Sequence, residues 1–398
     1  FMLARPEERL RRAVEVIKQG SEQPISRTEV YLRSREESGR GDFGFYVNFS
    51  ALLPPLNTAL SQQTTQGSLA MFGVTTSSLA SALALDAWQA AFIDLDLVDT
   101  GIASYSGLLY AEKSGLLSLL TYADGVLPEP TYVPNGILSG SVSLFDFGAM
   151  LAQFEKVLTT ASPNLPGLLD VQMQNLRTNT GVDFRTSILQ NMGGNLVTLA
   201  VLKEVSQMDA AINQIDQLYA LEVKDAQALS QALEALKDLA PGSREAIVAS
   251  DYQGQTIYTI QGPTDPTAID GQTHDVSYVI TRTHLIVNIG SIGLLQQVLT
   301  RMDASSSGFW QQLETERLFE EIARPNAVTR SYVDLEQMVK PILTSLLHAA
   351  QMGGVGQKID RALIPENLDT PLRMISELNE APDGFFTRAL ILKAEVTQ

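Results

Sequence analysis

Carboxylates carry whatever chemistry this sequence could do, because it holds no cysteine and only three histidines, His274, His284 and His348. The lack of thiols removes disulfides, thiolate metal sites and cysteine nucleophiles together. Three scattered histidines cannot supply a His-Glu-x-x-His zinc motif. No lysine follows a serine at the spacing of a Ser-x-x-Lys acyl-enzyme, and Gly-x-Ser-x-Gly is absent. Two acidic groupings remain. Asp94 and Asp96, with Asp99 nearby, alternate along a strand-like stretch, so the first two project from one face and could pair for acid/base work in a hydrolase. The competing reading is the solvent face of an outer strand, with acids alternating against Phe92, Ile93 and Leu95. Asp265, Asp270 and Asp275, beside His274, share one polar loop and offer hard oxygens to calcium, although the ligand alternation of a helix-loop-helix calcium site is missing. No other metal and no cofactor is implied.

The other prominent acids have structural work. Four times a β-type apolar stretch ends in Asn or Asp and runs straight into a helix-type apolar run, at Asn48, Asp146, Asp225 and Asp334. That is where a helix N-cap belongs, since the side-chain oxygen accepts from an otherwise unpaired N–H of the first turn. Nearly the same interval separates Gly115 from Asn48 as Gly293 from Asp225, and each glycine opens a Gly-Leu-Leu helix start. The spacing predicts an internal duplication, with Asn48 matching Asp225, Gly115 matching Gly293 and Asp146 matching Asp334.

The 398 residues have room for more than one domain, and 44% apolar with 18% charged residues is a globular composition. Residues 1–40 read as an N-terminal helix and linker, 41–194 as a first α+β half and 195–398 as a second. Each half is expected to be a largely antiparallel sheet with helices packed on one side. Aromatics around the first cap, Phe43, Phe45, Tyr46 and Phe49, read as core. Pro163 and Pro166 are expected to stop the helix that follows Asp146. A net charge of −17 repels phosphate backbones, which argues against nucleic acid as a partner. No uninterrupted apolar run reaches the length of a membrane-spanning helix, and the start at Phe1 leaves room for a preceding signal or anchor.

The stretch Gly181-Val182-Asp183-Phe184-Arg185-Thr186-Ser187-Ile188-Leu189-Gln190-Asn191-Met192-Gly193-Gly194, the capped unit from Leu221 to Leu236, the hairpin from Ala246 to Ile260 and the strand-into-helix from His284 to Leu299 carry a resemblance. Together they resemble a bacterial family of large α+β proteins of unknown function, usually predicted to be exported or membrane-anchored. The resemblance is clearest over 136–302. It implies an extracytoplasmic location and no reaction, and it transfers no functional residue.

With no catalytic motif and a mean hydropathy of +0.03 despite the charge imbalance, apolar surface is expected to be reserved for a partner. The reading is a non-enzymatic binding or scaffold protein for a protein or apolar ligand. A subunit of a self-assembling surface structure and a hydrolase using Asp94 and Asp96 stand as alternatives.

Overall fold

The computed structural model describes residues 25–38, 41–50, 53, 71–202, 215–237, 246–262, 275–304, 308–315, 317–339 and 372–393. Thirteen strands are β1 (Phe43–Asn48), β2 (Trp88–Val98), β3 (Gly101–Tyr110), β4 (Ser139–Leu144), β5 (Met192–Leu202), β6 (Ile215–Val223), β7 (Ile247–Tyr252), β8 (Gln255–Ile260), β9 (Val276–Ile280), β10 (His284–Ile289), β11 (Ala327–Asp334), β12 (Leu372–Ala381) and β13 (Gly384–Lys393). Helices are α1 (Glu29–Ser38), α2 (Thr76–Leu83), α3 (Phe147–Ala161), α4 (Asn164–Thr180), α5 (Ala226–Leu236), α6 (Ile292–Asp303) and α7 (Phe309–Thr315).

The strands form one 13-stranded sheet in the order β1-β2-β3-β13-β12-β11-β4-β5-β6-β10-β9-β8-β7. Every neighbouring pair is antiparallel. The architecture is therefore the antiparallel α+β class expected, but its strands join in a single sheet. Residue 194, the expected boundary, lies within β5, and β4 pairs with both β5 and β11. The strands that Asn48 and Asp225 close sit in unlike settings. Among the described residues β1 is a sheet edge paired to β2, the next strand, whereas β6 is interior and pairs with β10, the fourth strand after it. Gly115 opens a short 3₁₀ turn, Gly115–Leu119, while Gly293 lies inside α6. What recurs is a three-strand unit: a strand, a capped helical start, then a hairpin whose first strand returns beside the opening strand. It is seen in β1-β2-β3, β4-β5-β6 and β11-β12-β13.

Side chains alternate between the two faces along each strand, so one cross-strand row samples one face across nearly the whole sheet. Asp94, Tyr105, Arg388, Glu377, Arg330, Val142, Val197, Ala220, Ile286 and Val279 form such a row. Its apolar end is the main core, where Leu294, Leu295, Val298 and Leu299 of α6 and Trp310 of α7 close over Leu218 and Ile286. Its charged end lies beneath α1. The sequence reading placed helices on one side, yet α5 is on the opposite face, packing Leu229 and Leu233 against Leu221 and Leu285. Those two residues pair across β6 and β10 and point away from the main core.

The helix after Asp146 stops at Ala161, before Pro163, as expected, but a helix the sequence did not announce follows at once: Pro163 is the N-cap of α4 and Pro166 falls in its first turn. The first N–H groups of a helix have no intrahelical acceptor, so proline costs little there. β12 escaped notice because buried Glu377 and Asn379 share a face with Ile375 and hide its apolar alternation. The β7–β8 turn follows its composition: Gln253 and Gly254 both take positive φ (54° and 77°), as the tight hairpin turn requires.

Asp146 Oδ1 accepts from Ala149 N at 2.8 Å at the start of α3. Replacing Asp146 by Ala should cost about 1 kcal/mol of stability. Chemical denaturation measures it, and an unchanged midpoint would show that the bond contributes nothing.

Candidate binding site

The three remaining strand-end caps also meet backbone. Ser50 N donates to Asn48 Oδ1 (2.9 Å), Ala228 N to Asp225 Oδ1 (2.9 Å) and Gln337 N to Asp334 Oδ1 (3.0 Å). The motif 181–194 turns out to brace one of these junctions. Buried Asn191 accepts from Asp225 N at 2.7 Å and donates to the Asp225 carbonyl at 2.7 Å, clamping the end of β6. Asp265, Asp270 and His274 lie outside the described residues. Asp275 uses Oδ1 to accept from Gly262 N at 3.1 Å. Among the described residues no cluster of three or more His, Asp or Glu could hold a metal.

Asp94 and Asp96 do share a face of β2, but it is the face turned toward α1. Asp94 is buried and its Oδ1 accepts from Arg35 Nη1 at 2.7 Å. The carboxylate lies over β1 so closely that a Cβ at Gly44 would fall 2.4 Å from Asp94 Oδ1, which only glycine avoids. Asp96 accepts from Asp42 N at 3.0 Å, and Asp42 Oδ2 in turn accepts from Leu97 N at 3.0 Å. The outer-strand reading is thus inverted for Asp94, because α1 covers the acidic side.

α1 docks through Val30, packed on the Phe92–Phe386 cluster, the Tyr31–Tyr46 ring contact and a set of ion pairs. Arg33 Nε donates to Asp383 Oδ2 at 2.6 Å and Arg33 Nη1 to Glu37 Oε1 at 2.7 Å, while the Arg33 guanidinium lies 4.9 Å from the Phe386 ring centre. Glu37 Oε2 accepts from Arg324 Nη1 at 2.6 Å. Under them Arg330 Nε donates to Glu377 Oε1 at 2.6 Å. Burial alone would raise the Glu37 carboxyl, but hydrogen bonds from Arg33 and Arg324 outweigh it and hold the group below its ordinary value. Removing one partner of a buried pair leaves the other charge uncompensated.

The opposite face of β1 and β2 is apolar and open. Phe43 (64% exposed) and Phe45 (65%) stand in register with Leu95 and Ile93, and Leu97 (66%) continues the strip. These phenylalanines were expected in the core; they are exposed because β1 is an edge strand and among the described residues no helix packs on this side of it. On β3 the strip meets Ser106 opposite Ile93 and Ser104 opposite Leu95, with Ile102 opposite Leu97. Five large apolar side chains aligned over two strands are more than the scattered exposure normal on protein surfaces. The signal was present in the sequence as Phe43-x-Phe45 and Ile93-x-Leu95-x-Leu97, but alternation alone does not say which face is covered.

Two expectations follow. Asp94→Ala should lower stability by about 3 kcal/mol, since Arg35 is left half-buried and unpaired; denaturant titration checks this, and a neutral result would free Asp94 from its structural role. Glu37→Gln should lower the melting temperature at neutral pH. The depressed carboxyl stabilises above its ordinary value of 4.5 and loses that contribution as pH falls through the folded-state value, so the gap between native protein and variant should narrow below 4.5. A gap that stays constant through acid pH would rule out the ionised carboxylate as its source.

No described helix is long and apolar enough to cross a membrane. No curated protein matches the chain. Among solved structures, crystal form I of TP0453 is similar over 69% of this chain and 82% of its own, at 11% identity and a TM-score of 0.31. Crystal form III of TP0453 gives 67% and 80%, at 10% identity and a TM-score of 0.29. Residues 150–363, more than half of the sequence and running from α3 past β11, match the family described as protein of unknown function DUF3352, and the chain belongs to that family.

Proposed function

We propose that this chain is a non-enzymatic, extracytoplasmic binding or scaffold protein that receives a protein partner on the open apolar face of β1 and β2. The observation that carries the reading is the strip Phe43, Phe45, Ile93, Leu95 and Leu97, exposed in cross-strand register at the edge of the sheet. Edge position adds a second attraction. Among the described residues the outer side of β1 faces no other strand, so an extended partner segment can add there as a further strand and lay alternate apolar side chains beside Phe43 and Phe45. Charge favours protein over an anionic lipid surface, because the net charge is −17 and Asp42, Asp96 and Asp99 stand close to the strip. The extracytoplasmic setting rests on the resemblance of the 136–302 segments to exported families.

A photo-crosslinking amino acid placed at Phe45 in the source cell tests this. Adducts to another protein, reduced when Leu97 is also changed to Glu, are the expected result. Adducts between copies of this chain would replace the proposal with self-association, and lipid adducts would replace it with membrane contact. No adduct above that from exposed Val126, remote in sequence from the strip, would end it.

A further inference from the structure

Beside the C-terminal end of α1, residues 323–326 and the β12–β13 hairpin line an open surface cavity of ≈ 420 Å³. That size lies within the range usual for small-molecule sites. Arg324, Arg388, Asn379, Phe386 and Glu37 line it. Three buried polar atoms of these residues have no hydrogen-bond partner: Arg324 Nε, Arg388 Nε and Asn379 Oδ1. Buried polar atoms are ordinarily paired, so three in one wall need a common explanation.

Asn379 is only 8% exposed, and its Nδ2 donates to the Pro325 carbonyl at 3.1 Å. That bond sets the amide orientation, because a flipped amide would bring two oxygens together. Oδ1 is therefore an acceptor awaiting a donor. Arg388 has the opposite need. Its cross-strand neighbour is Glu377, but that carboxylate is already used, by Arg330 Nε on Oε1 and by Arg324 N at 2.9 Å on Oε2. The Arg388 guanidinium lies 5.7 Å from the centre of the Tyr105 ring and feels Glu37 and Glu377 electrostatically. Burial, and then the neighbouring Arg324, weaken its hold on the proton, which an arriving anion would reverse.

Local charge agrees. Arg33 pairs with Asp383 and Glu37, Arg324 with Glu37, Arg330 with Glu377 and Lys113 with Glu380. Of the cations grouped here, Arg388 alone makes no salt bridge to a described carboxylate. In a chain of net charge −17 any attraction for anions has to be local, and here it comes from Arg388 and Arg324 against Glu37 and Glu380 in the same lining.

We propose that the cavity binds a small monoanion, a carboxylate or phosphate group carried next to an N–H or O–H donor. The oxygens meet the guanidinium groups of Arg388 and Arg324, and the adjacent donor meets Asn379 Oδ1. Phe386, Ala323 and Pro325 offer the apolar surface of the lining. Glu37 and Glu380 on the same wall disfavour more than one negative charge. This site is separate from the β1–β2 strip, so either can fail alone.

Isothermal titration of the full chain with N-acetylglycine, acetate and inorganic phosphate, at constant pH and ionic strength, tests the proposal. N-acetylglycine should bind more tightly than acetate, and Arg388→Gln should weaken every anion that binds by roughly ten-fold or more. Asn379→Leu should bring N-acetylglycine down to acetate while sparing acetate itself. Phosphate binding above N-acetylglycine would assign the source to phosphate esters, and the reverse to carboxylates. If Arg388→Gln does not fold, the Asn379→Leu comparison and the native titrations still decide. Heats no larger than those of sodium chloride, or equal binding by native protein and folded Arg388→Gln, would overturn it.

Discussion

Backbone pairing places every side chain of a cross-strand row on one face of the sheet, and in this protein a single row sets what each region can be. From Val142 to Val279 the row is apolar and buried under α6 and α7. From Asp94 to Arg330 it is charged, and a charged row can be covered only by groups that complete it. α1 supplies Arg35 to Asp94 of the row, while its Arg33 and Glu37 pair beside the row with Asp383 and Arg324. The covering of one face by charge leaves the reverse face of β1 and β2 with the apolar residues, which have no helix over them among the described residues. Burial of acids and exposure of phenylalanines are thus two results of one register.

The charged end also shows what buried ion pairs accomplish. Each pair must recover the desolvation of both partners, so the net gain in stability is small. The value of the network lies in position. Glu377, almost fully buried, accepts from Arg330 and from the backbone of Arg324, joining β11 and the loop before it to β12. Glu37 then joins that loop to α1. A change in any of these groups alters the docking of α1 and the shape of the neighbouring cavity together.

The helix caps act on a smaller scale. At three of the four strand ends the acid meets the backbone N–H three residues on, at the fourth Asn48 meets that of Ser50, and Asn191, just before β5, also clamps Asp225. These contacts use the acids that a search for catalysis would first select. Asp94 is used in the same way by Arg35.

What the sequence determined by itself is local. Strands β2 to β6, helices α2, α3 and α5, the caps, the hairpin turn at Gln253-Gly254 and the antiparallel α+β class all follow from alternation, capping chemistry and turn residues, which act over a few positions, whereas α4 was not legible that way. The order of strands was decided by tertiary structure, because three-strand units of the same local grammar can join in many ways and only packing selects one. Alternation could show that Asp94 and Leu95 oppose each other; it could not show which of them α1 would cover. Glu377 and Asn379 hid β12 for a related reason: their polarity is compensated by Arg330, Arg324 and Pro325, residues that lie far away in the sequence and close only in the folded sheet.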